Sequence, residues 1–187
     1  GSAPAPGCVK ADHVVLSGAS QARAGAVVVR GASEGRLAPR GGFVTPAERT
    51  LRWDGPLADG RPVLLTLTRG ERPGETLLEE ELAGGAFTLP DGVGLVPGGD
   101  YAWSVEPAGL NPGPGLAGSF RVAPDQVAAQ IGILRERATD AASWLRLAFF
   151  CETNLLELDA ARAYREALQL DPGAAGARTR LTELDLP

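Results

Sequence analysis

The chain has 187 residues and a net formal charge of −5. This length suits one large domain or two small ones, with a core that needs no metal or disulfide staples. The sequence has no basic stripe, which makes nucleic acid a poor candidate partner, and no apolar run long enough to span a bilayer. Gly1-Ser2 resembles a cloning remnant. We therefore expect the natural protein to extend upstream, where a signal or membrane anchor could lie.

Composition changes along the chain and predicts two structural regions. The 25 Gly and 15 Pro residues crowd into the first two thirds, whereas Ala, Leu, Arg and Glu dominate after Pro124. Gly and Pro punctuate strands and turns, so the change indicates β structure followed by helices. We expect a flexible leader at residues 1–13, a β-sandwich at 14–122 and a helical domain at 123–187, an α+β chain in all.

The β region contains short alternating apolar runs separated by Gly and Pro turns. Val14–Leu16 and Ala26–Val29 are the first predicted strands, and they either form a hairpin of their own or join the sheet that follows. The pattern becomes clearer from about Gly41. The later predicted strands are Thr50–Trp53, Val63–Thr68, Thr76–Leu82, Phe87–Leu89, Tyr101–Glu106 and Ser119–Val122. Several short strands at regular intervals predict an antiparallel sandwich of the immunoglobulin or fibronectin type.

One segment carries a family resemblance. Leu95–Val105 contains a Leu, a Pro-Gly turn and Tyr101 at the spacing of the corner between strands E and F in fibronectin type III domains, which this chain resembles over about residues 41–122. The resemblance implies that the Tyr101 hydroxyl bonds back to the backbone of the turn. Trp53 matches the family's strand B tryptophan. Strand C departs from the family, because Val63 and Leu65 replace its usual aromatic.

The helical region resembles a single tetratricopeptide repeat at about residues 141–174. A preceding amphipathic helix is predicted at Pro124–Ala138, and a following one at Gly173–Leu186, with Asp171-Pro172 as its N-cap and first position. The eight signature positions hold Trp144, Leu147, Ala148, Cys151, Ala160, Tyr164, Ala167 and Pro172. Seven have acceptable residue types, and Cys151 replaces the usual aromatic. Small residues stand where two crossing helices approach closely, and the flanking helices are expected to cover the open faces of the unit.

Two glycine motifs resemble catalytic or nucleotide-binding sequences without their context. Gly31–Gly35 matches the nucleophile elbow around Ser33, but no helix follows, and His13, the single histidine of the chain, lies upstream. Gly113–Gly118 matches a dinucleotide fingerprint, but a strand follows where a helix is needed. We therefore predict no catalytic residue and no cofactor.

Metal and disulfide sites are not predicted either. Glu79–Glu81 lacks a calcium-loop spacing and is expected on a solvated edge strand. Two distant cysteines make neither a disulfide framework nor a zinc site, and a Cys8–Cys151 bridge is the less favoured alternative. Cys151 is predicted to be a small buried apolar residue.

A partner-binding surface is predicted on the first helix of the repeat, at positions interleaved with the signature set. These positions hold Ala142, Leu145, Phe149, Glu152 and Thr153. They lack the Lys, Arg and Asn residues of family members that clamp acidic peptide tails. An apolar groove for a partner segment is one interpretation. The competing interpretation, slightly favoured, is that Leu145 and Phe149 pack against the helix at Pro124–Ala138.

The sequence as a whole favours a non-catalytic protein-interaction or sensory, scaffolding module. The pairing of such a sandwich with such a repeat resembles the soluble, periplasmic parts of bacterial membrane-anchored proteins, and a cytoplasmic location is the alternative. An alternative function is a carbohydrate- or small-ligand-binding sandwich with a structural helical cap, in which Trp53 and Trp103 would form an aromatic platform. Tryptophans in sandwiches more often fill the core.

Overall fold

The computed structural model describes residues 35–70, 74–109 and 113–187. The predicted leader at 1–13, the strands Val14–Leu16 and Ala26–Val29, and Ser33 lie outside the described residues, as do Cys8 and His13. Within the described part, a β region with two sheets is followed by helices, so the predicted α+β class is confirmed at that level. The change from strands to helices falls between Val122 and Asp125.

The β region contains eight described strands and one short 3-10 helix. The strands are β1 (Leu37–Ala38), β2 (Phe43–Val44), β3 (Thr50–Trp53), β4 (Pro62–Arg69), β5 (Glu75–Ala83), β6 (Ala86–Thr88), β7 (Asp100–Pro107) and β8 (Leu116–Val122). The 3-10 helix spans Gly55–Ala58. All six runs predicted from Thr50 onward are strands; Thr50–Trp53 has the predicted boundaries, and those of the other runs shift by at most three residues.

The strands form a three-stranded sheet in the order β1-β3-β6 and a five-stranded sheet in the order β2-β8-β7-β4-β5. The prediction of a purely antiparallel arrangement is wrong at one pair, because β2 runs parallel to β8. The chain passes from β1 in the three-stranded sheet to β2 in the five-stranded sheet within a few residues, and β2 pairs with β8 as the edge strand of that sheet. The Trp103 indole N–H donates to the Pro39 carbonyl at 2.8 Å and holds this crossing in place.

One apolar core lies between the two sheets. Along β4, Val63, Leu65 and Leu67 are buried while Leu64 and Thr66 are partly exposed, as the two-residue period of a strand requires. Residues of the three-stranded sheet belong to the same core cluster as β4, β7 and β8. Burial of this shared apolar surface is the main force holding the sheets together.

A hydrogen-bonded corner precedes β7. The Tyr101 hydroxyl accepts from the Val96 N–H at 2.7 Å, so the predicted bond from Tyr101 back to the turn is confirmed. Gly98 has φ of +76°, and a Cβ on Gly99 would lie 3.0 Å from the Tyr101 ring. These two glycines therefore let the backbone turn closely against the tyrosine.

β5 is an edge strand of the five-stranded sheet. Glu79, Glu80 and Glu81 are all exposed on it, which confirms the predicted solvated edge. Charged side chains on an edge oppose pairing with a further strand.

The described helices are α1 (Asp125–Glu136), α2 (Ala141–Thr153), α3 (Glu157–Leu170) and α4 (Ala175–Leu184). α2 starts with a capping box, in which the Asp140 carboxylate accepts from the Ser143 N–H at 2.7 Å. The predicted start of the last helix is wrong. Asp171 follows α3 and accepts from the Gly173 N–H at 2.9 Å, so the chain makes a local turn before α4 begins.

The helices share a second core, centred on α2 and α3, which make the most extensive helix–helix contact. Leu147, Ala148 and Cys151 of α2 are buried in one cluster with Ala160 and Ala163 of α3. Cys151 is fully buried and occupies the place of a small apolar residue, as predicted. Across the described residues, each helix is too short or too polar to cross a membrane.

Candidate functional site

An open groove of about 500 Å³ lies between α2 and α4. Leu145 and Phe149 line it from α2, Tyr164 from α3, and Ala174 and Ala177 from α4 and its start. Phe149 leaves 70% of its surface exposed, although it is a large apolar side chain. Small residues on α4 keep that wall low, so the phenyl ring and the groove are both accessible to a partner.

A charged network includes two of the residues that line the groove, Tyr164 and Arg180. The Glu152 carboxylate accepts from the Tyr164 hydroxyl and, at 2.6 Å, from the Arg180 guanidinium, which also pairs with Glu183. Burial, together with the hydrogen bond to Glu152, raises the pKa of Tyr164 to about 12. The phenol therefore remains a hydrogen-bond donor throughout the physiological pH range.

This network carries a net negative charge. Two carboxylates, Glu152 and Glu183, share one guanidinium, and the bonds to Glu152 raise the pKa of Arg180 further above its usual range. Glu152 is held almost buried, whereas half of the Glu183 side chain is exposed. The groove thus combines apolar lining residues with Arg180, whose partner Glu183 is a half-exposed carboxylate.

The five predicted partner-binding residues fall at different places. Leu145 and Phe149 line the groove, and Glu152 does not line it but bonds to two residues that do, Tyr164 and Arg180. Ala142 and Thr153 are exposed on the same helix but do not line the groove, and the Thr153 hydroxyl donates to the Phe149 carbonyl at 2.8 Å. The competing expectation, that Leu145 and Phe149 pack against the helix at Pro124–Ala138, is not met by Phe149, whose side chain is mostly exposed. Leu145 is partly buried against the helical core, to which Val127 and Ile131 of α1 belong.

The residues contributed by α4 were missed in the sequence. Ala174, Ala177, Thr179 and Arg180 line the groove only because α4 packs beside α3. Arg180 is the signal that could have been noticed, because it brings to the groove from α4 a basic residue of the kind that the first helix of the repeat lacks.

Two other candidate sites lose their basis in the described structure. Trp53 and Trp103 are buried in the core with ring centroids 6.4 Å apart, so they do not form a surface platform for a sugar. Gly115 and Gly118 lead into and lie on β8, where an added Cβ would meet the backbone of Val105 or Pro39. These glycines permit close approach of neighbouring backbone. A strand and not a helix follows them, so no helix N-terminus is present there to bind a phosphate.

In the described ranges, no group of three His, Cys, Asp or Glu residues is placed so that it could hold a metal ion. The Cys151 thiol is buried, and burial, reinforced by the nearby Asp159 charge, raises its pKa to about 12. A thiol in this state is a weak nucleophile and metal ligand, because only the thiolate reacts.

Comparisons with known proteins add little to this geometry. No protein-family model matches the chain, and no curated protein matches it. Among solved structures, Astrotactin-2, described as a conserved vertebrate-specific and perforin-like membrane protein involved in neuronal development, is similar with a TM-score of 0.31 and 13% sequence identity. The match covers 81% of this chain and only 36% of that one. A likeness this low supports no statement about function.

Proposed function

We propose that this chain is a non-catalytic protein-interaction module that holds a segment of a partner protein in the groove between α2 and α4. The observation that carries the proposal is the exposure of Phe149 in a mainly apolar groove that also contains Arg180. A large apolar side chain exposed in a concave site is typical of binding surfaces. The bacterial envelope location predicted from the sequence stays part of the proposal, and fractionation of source cells tests it.

The finer fold assignment supports this proposal. We infer that the two-sheet region is a fibronectin type III-like sandwich, because the three-stranded and five-stranded sheets share one apolar core and Tyr101 bonds to its turn. We infer that α2 and α3 form a tetratricopeptide-like unit, because small residues such as Ala148 and Ala160 lie at their contact. In such an array α4 would be the first helix of the next unit, so the groove lies between two successive first helices.

The charges of the groove favour one kind of occupant. We propose an amphipathic segment that places an apolar side chain against Leu145 and Phe149 and a Lys or Arg near Glu183. The network of Glu152, Arg180 and Glu183 has one carboxylate in excess, and the whole chain carries a net charge of −5. A basic side chain would also gain a favourable contact with the face of the exposed phenyl ring.

A selection experiment tests the occupant directly. The probe is a displayed library of random peptides of about 15 residues, roughly four helical turns, selected on the immobilised chain. We expect enriched peptides to carry an apolar residue with Lys or Arg three or four positions away. The affinity of the best peptide should fall by about ten-fold or more with Phe149→Glu, as for an anchor at the centre of an interface.

A matched variant separates the groove from general stickiness. Leu170 is also an exposed apolar residue, 56% accessible at the end of α3, but it does not line the groove. Leu170→Glu should leave the peptide affinity unchanged. Enrichment of the same peptides on the Phe149→Glu protein, or equal losses with the two variants, would contradict the groove assignment. Enriched acidic peptides would refute the charge argument alone.

A further inference from the structure

The wall of the groove opposite α2 is α4, a helix with little apolar burial of its own. Ala177 is its buried residue, and Leu181 and Leu184 are partly buried, whereas α3 buries six residues. The residues that α4 brings to the groove include Ala177 and Gly176, which are too small to fill the space towards α2. Because apolar burial is the main stabilising term between packed elements, the position of α4 relative to α2 depends on polar contacts.

Two hydrogen bonds join α4 to α2, and both run between Arg180 and Glu152. Arg180 Nη2 donates to Glu152 Oε1 at 2.6 Å, and Arg180 Nε donates to Glu152 Oε2 at 3.3 Å. A guanidinium that meets a carboxylate at two points is fixed in direction as well as in distance. In the described part of the chain, the other long-range ion pair at α4 joins Asp185, after its last turn, to Arg36 of the β region. The Arg180–Glu152 pair is therefore the polar connection between the two walls.

Both members of this pair are held in place by further bonds. Glu152 lies one turn after Phe149 on α2, its side chain is 14% exposed, and it also accepts from the Tyr164 hydroxyl of α3. Arg180 also pairs with Glu183, one turn further along α4. Side chains that are already oriented lose less conformational entropy when they pair, and a nearly buried carboxylate is less screened by solvent than an exposed one.

We propose that Glu152 and Arg180 are positioning residues of the groove, whose bond holds α4 at the separation from α2 at which a partner segment fits. This inference rests on the proposed function for what the groove binds, whereas the position of α4 can be measured without a partner. Leu145 and Phe149 belong to α2 in either case. Without the bond, α4 opens more often, and the occupant loses the second wall of its site.

Hydrogen–deuterium exchange of the full chain, read by mass spectrometry, tests whether the bond holds α4. Glu152→Gln and Arg180→Gln each remove one charge and keep a side chain of similar reach. Each should speed the exchange of the α4 amides by about three- to ten-fold, between the effects of an exposed and a buried charged pair. The double variant should be no faster than the single variants, because all three lose the same bond. Unchanged exchange in α3 shows that the fold is intact.

Two further variants make the test specific. Arg178→Gln removes a guanidinium from the same helix, but Arg178 donates to the Pro172 carbonyl and not to α2, so exchange in α4 should stay close to that of the parent. Arg180→Lys keeps the charge without the two-point geometry and should lie between the parent and Arg180→Gln. Unchanged exchange of α4 in the single variants would overturn the proposal. Effects that multiply in the double variant would overturn it as well.

Binding of the best selected peptide connects the bond to the groove. Glu152→Gln makes the charged network less negative and Arg180→Gln makes it more negative, so a direct charge effect on a basic peptide would have opposite signs in the two variants. We expect both variants to weaken binding, by a similar factor, because both release α4. Opposite signs, or unchanged affinity despite faster exchange, would overturn the positioning role. If selection yields no peptide that depends on Phe149, the proposed function fails, and the exchange measurements still decide whether the bond holds α4.

Discussion

Leu147 and Phe149 lie two residues apart on α2, and truncation to alanine should destabilise the fold much more at Leu147 than at Phe149. Leu147 is 2% exposed within the helical core, so Leu147→Ala should lower the free energy of unfolding by about 2–5 kcal/mol. Phe149 has only the remaining third or so of its surface covered. Full burial of such a side chain contributes about 1.5–3 kcal/mol, so Phe149→Ala should cost roughly 0.5–0.9 kcal/mol.

Thermal unfolding followed by circular dichroism separates these values. For a chain of this length each kcal/mol shifts the midpoint by about 2–4 °C, so Leu147→Ala should lower the midpoint by about 4–20 °C and Phe149→Ala by about 1–4 °C. Equal losses would mean that Phe149 is covered in solution. The groove between α2 and α4 would then be closed, and the proposed binding surface would have to be abandoned.

Three further predictions concern single contacts. Tyr101→Phe leaves the Val96 N–H without its acceptor and should cost about 1–3 kcal/mol, measured by urea unfolding; no loss would mean that the N–H finds another partner. Gly42→Ala combines a left-handed backbone with a clash against the Leu155 carbonyl, so it should cost at least about 1–3 kcal/mol in the same assay. Cys151, with its pKa raised to about 12 by burial, should resist iodoacetamide at pH 8 in the folded protein and react in urea, as read by mass spectrometry of its peptide. Rapid labelling of the folded protein would show that α2 and α3 open readily.

The strands and helices were predictable because their patterns are local. The alternation of Val63, Leu65 and Leu67 places one face of β4 in the core, whatever the neighbouring strands are. The Tyr101 corner was also accessible, since its Leu, Pro-Gly and Tyr lie within a few residues of one another. The parallel pairing of β2 with β8 was not accessible in this way. It joins two-residue β2 to a strand more than 70 positions away, and so short a segment has no period to read.

Only part of the groove lining was predictable from the sequence. Leu145 and Phe149 follow from the repeat-like spacing of α2, but Ala177 and Arg180 depend on how α4 packs, and packing is not a property of one segment. Asp159 carries a signal that was overlooked. It stands one turn before Ala163, on the face of α3 that otherwise holds small residues at the contact with α2. An acidic residue on a buried small-residue face indicates a specific partner, here Arg135 of α1, whose guanidinium donates to the Asp159 carboxylate at 3.0 Å.

The buried and partly buried charged groups where the helices meet the β region have a physical role that apolar groups could not perform. Burying a carboxylate costs several kcal/mol, and Arg135 returns only part of that cost, so an apolar pair of similar volume could be as stable. Apolar contacts such as Phe43 on the helical core are tolerant of direction, whereas a guanidinium must meet a carboxylate in a defined geometry. The apolar residues therefore supply the attraction between the sheets and the helices, and the Arg162–Glu48 ion pair, which joins α3 to the segment after β2, restricts their relative orientation. Because α3 carries both Arg162 and Tyr164, the helix that is held against the β region also positions the hydrogen bond from Tyr164 to Glu152.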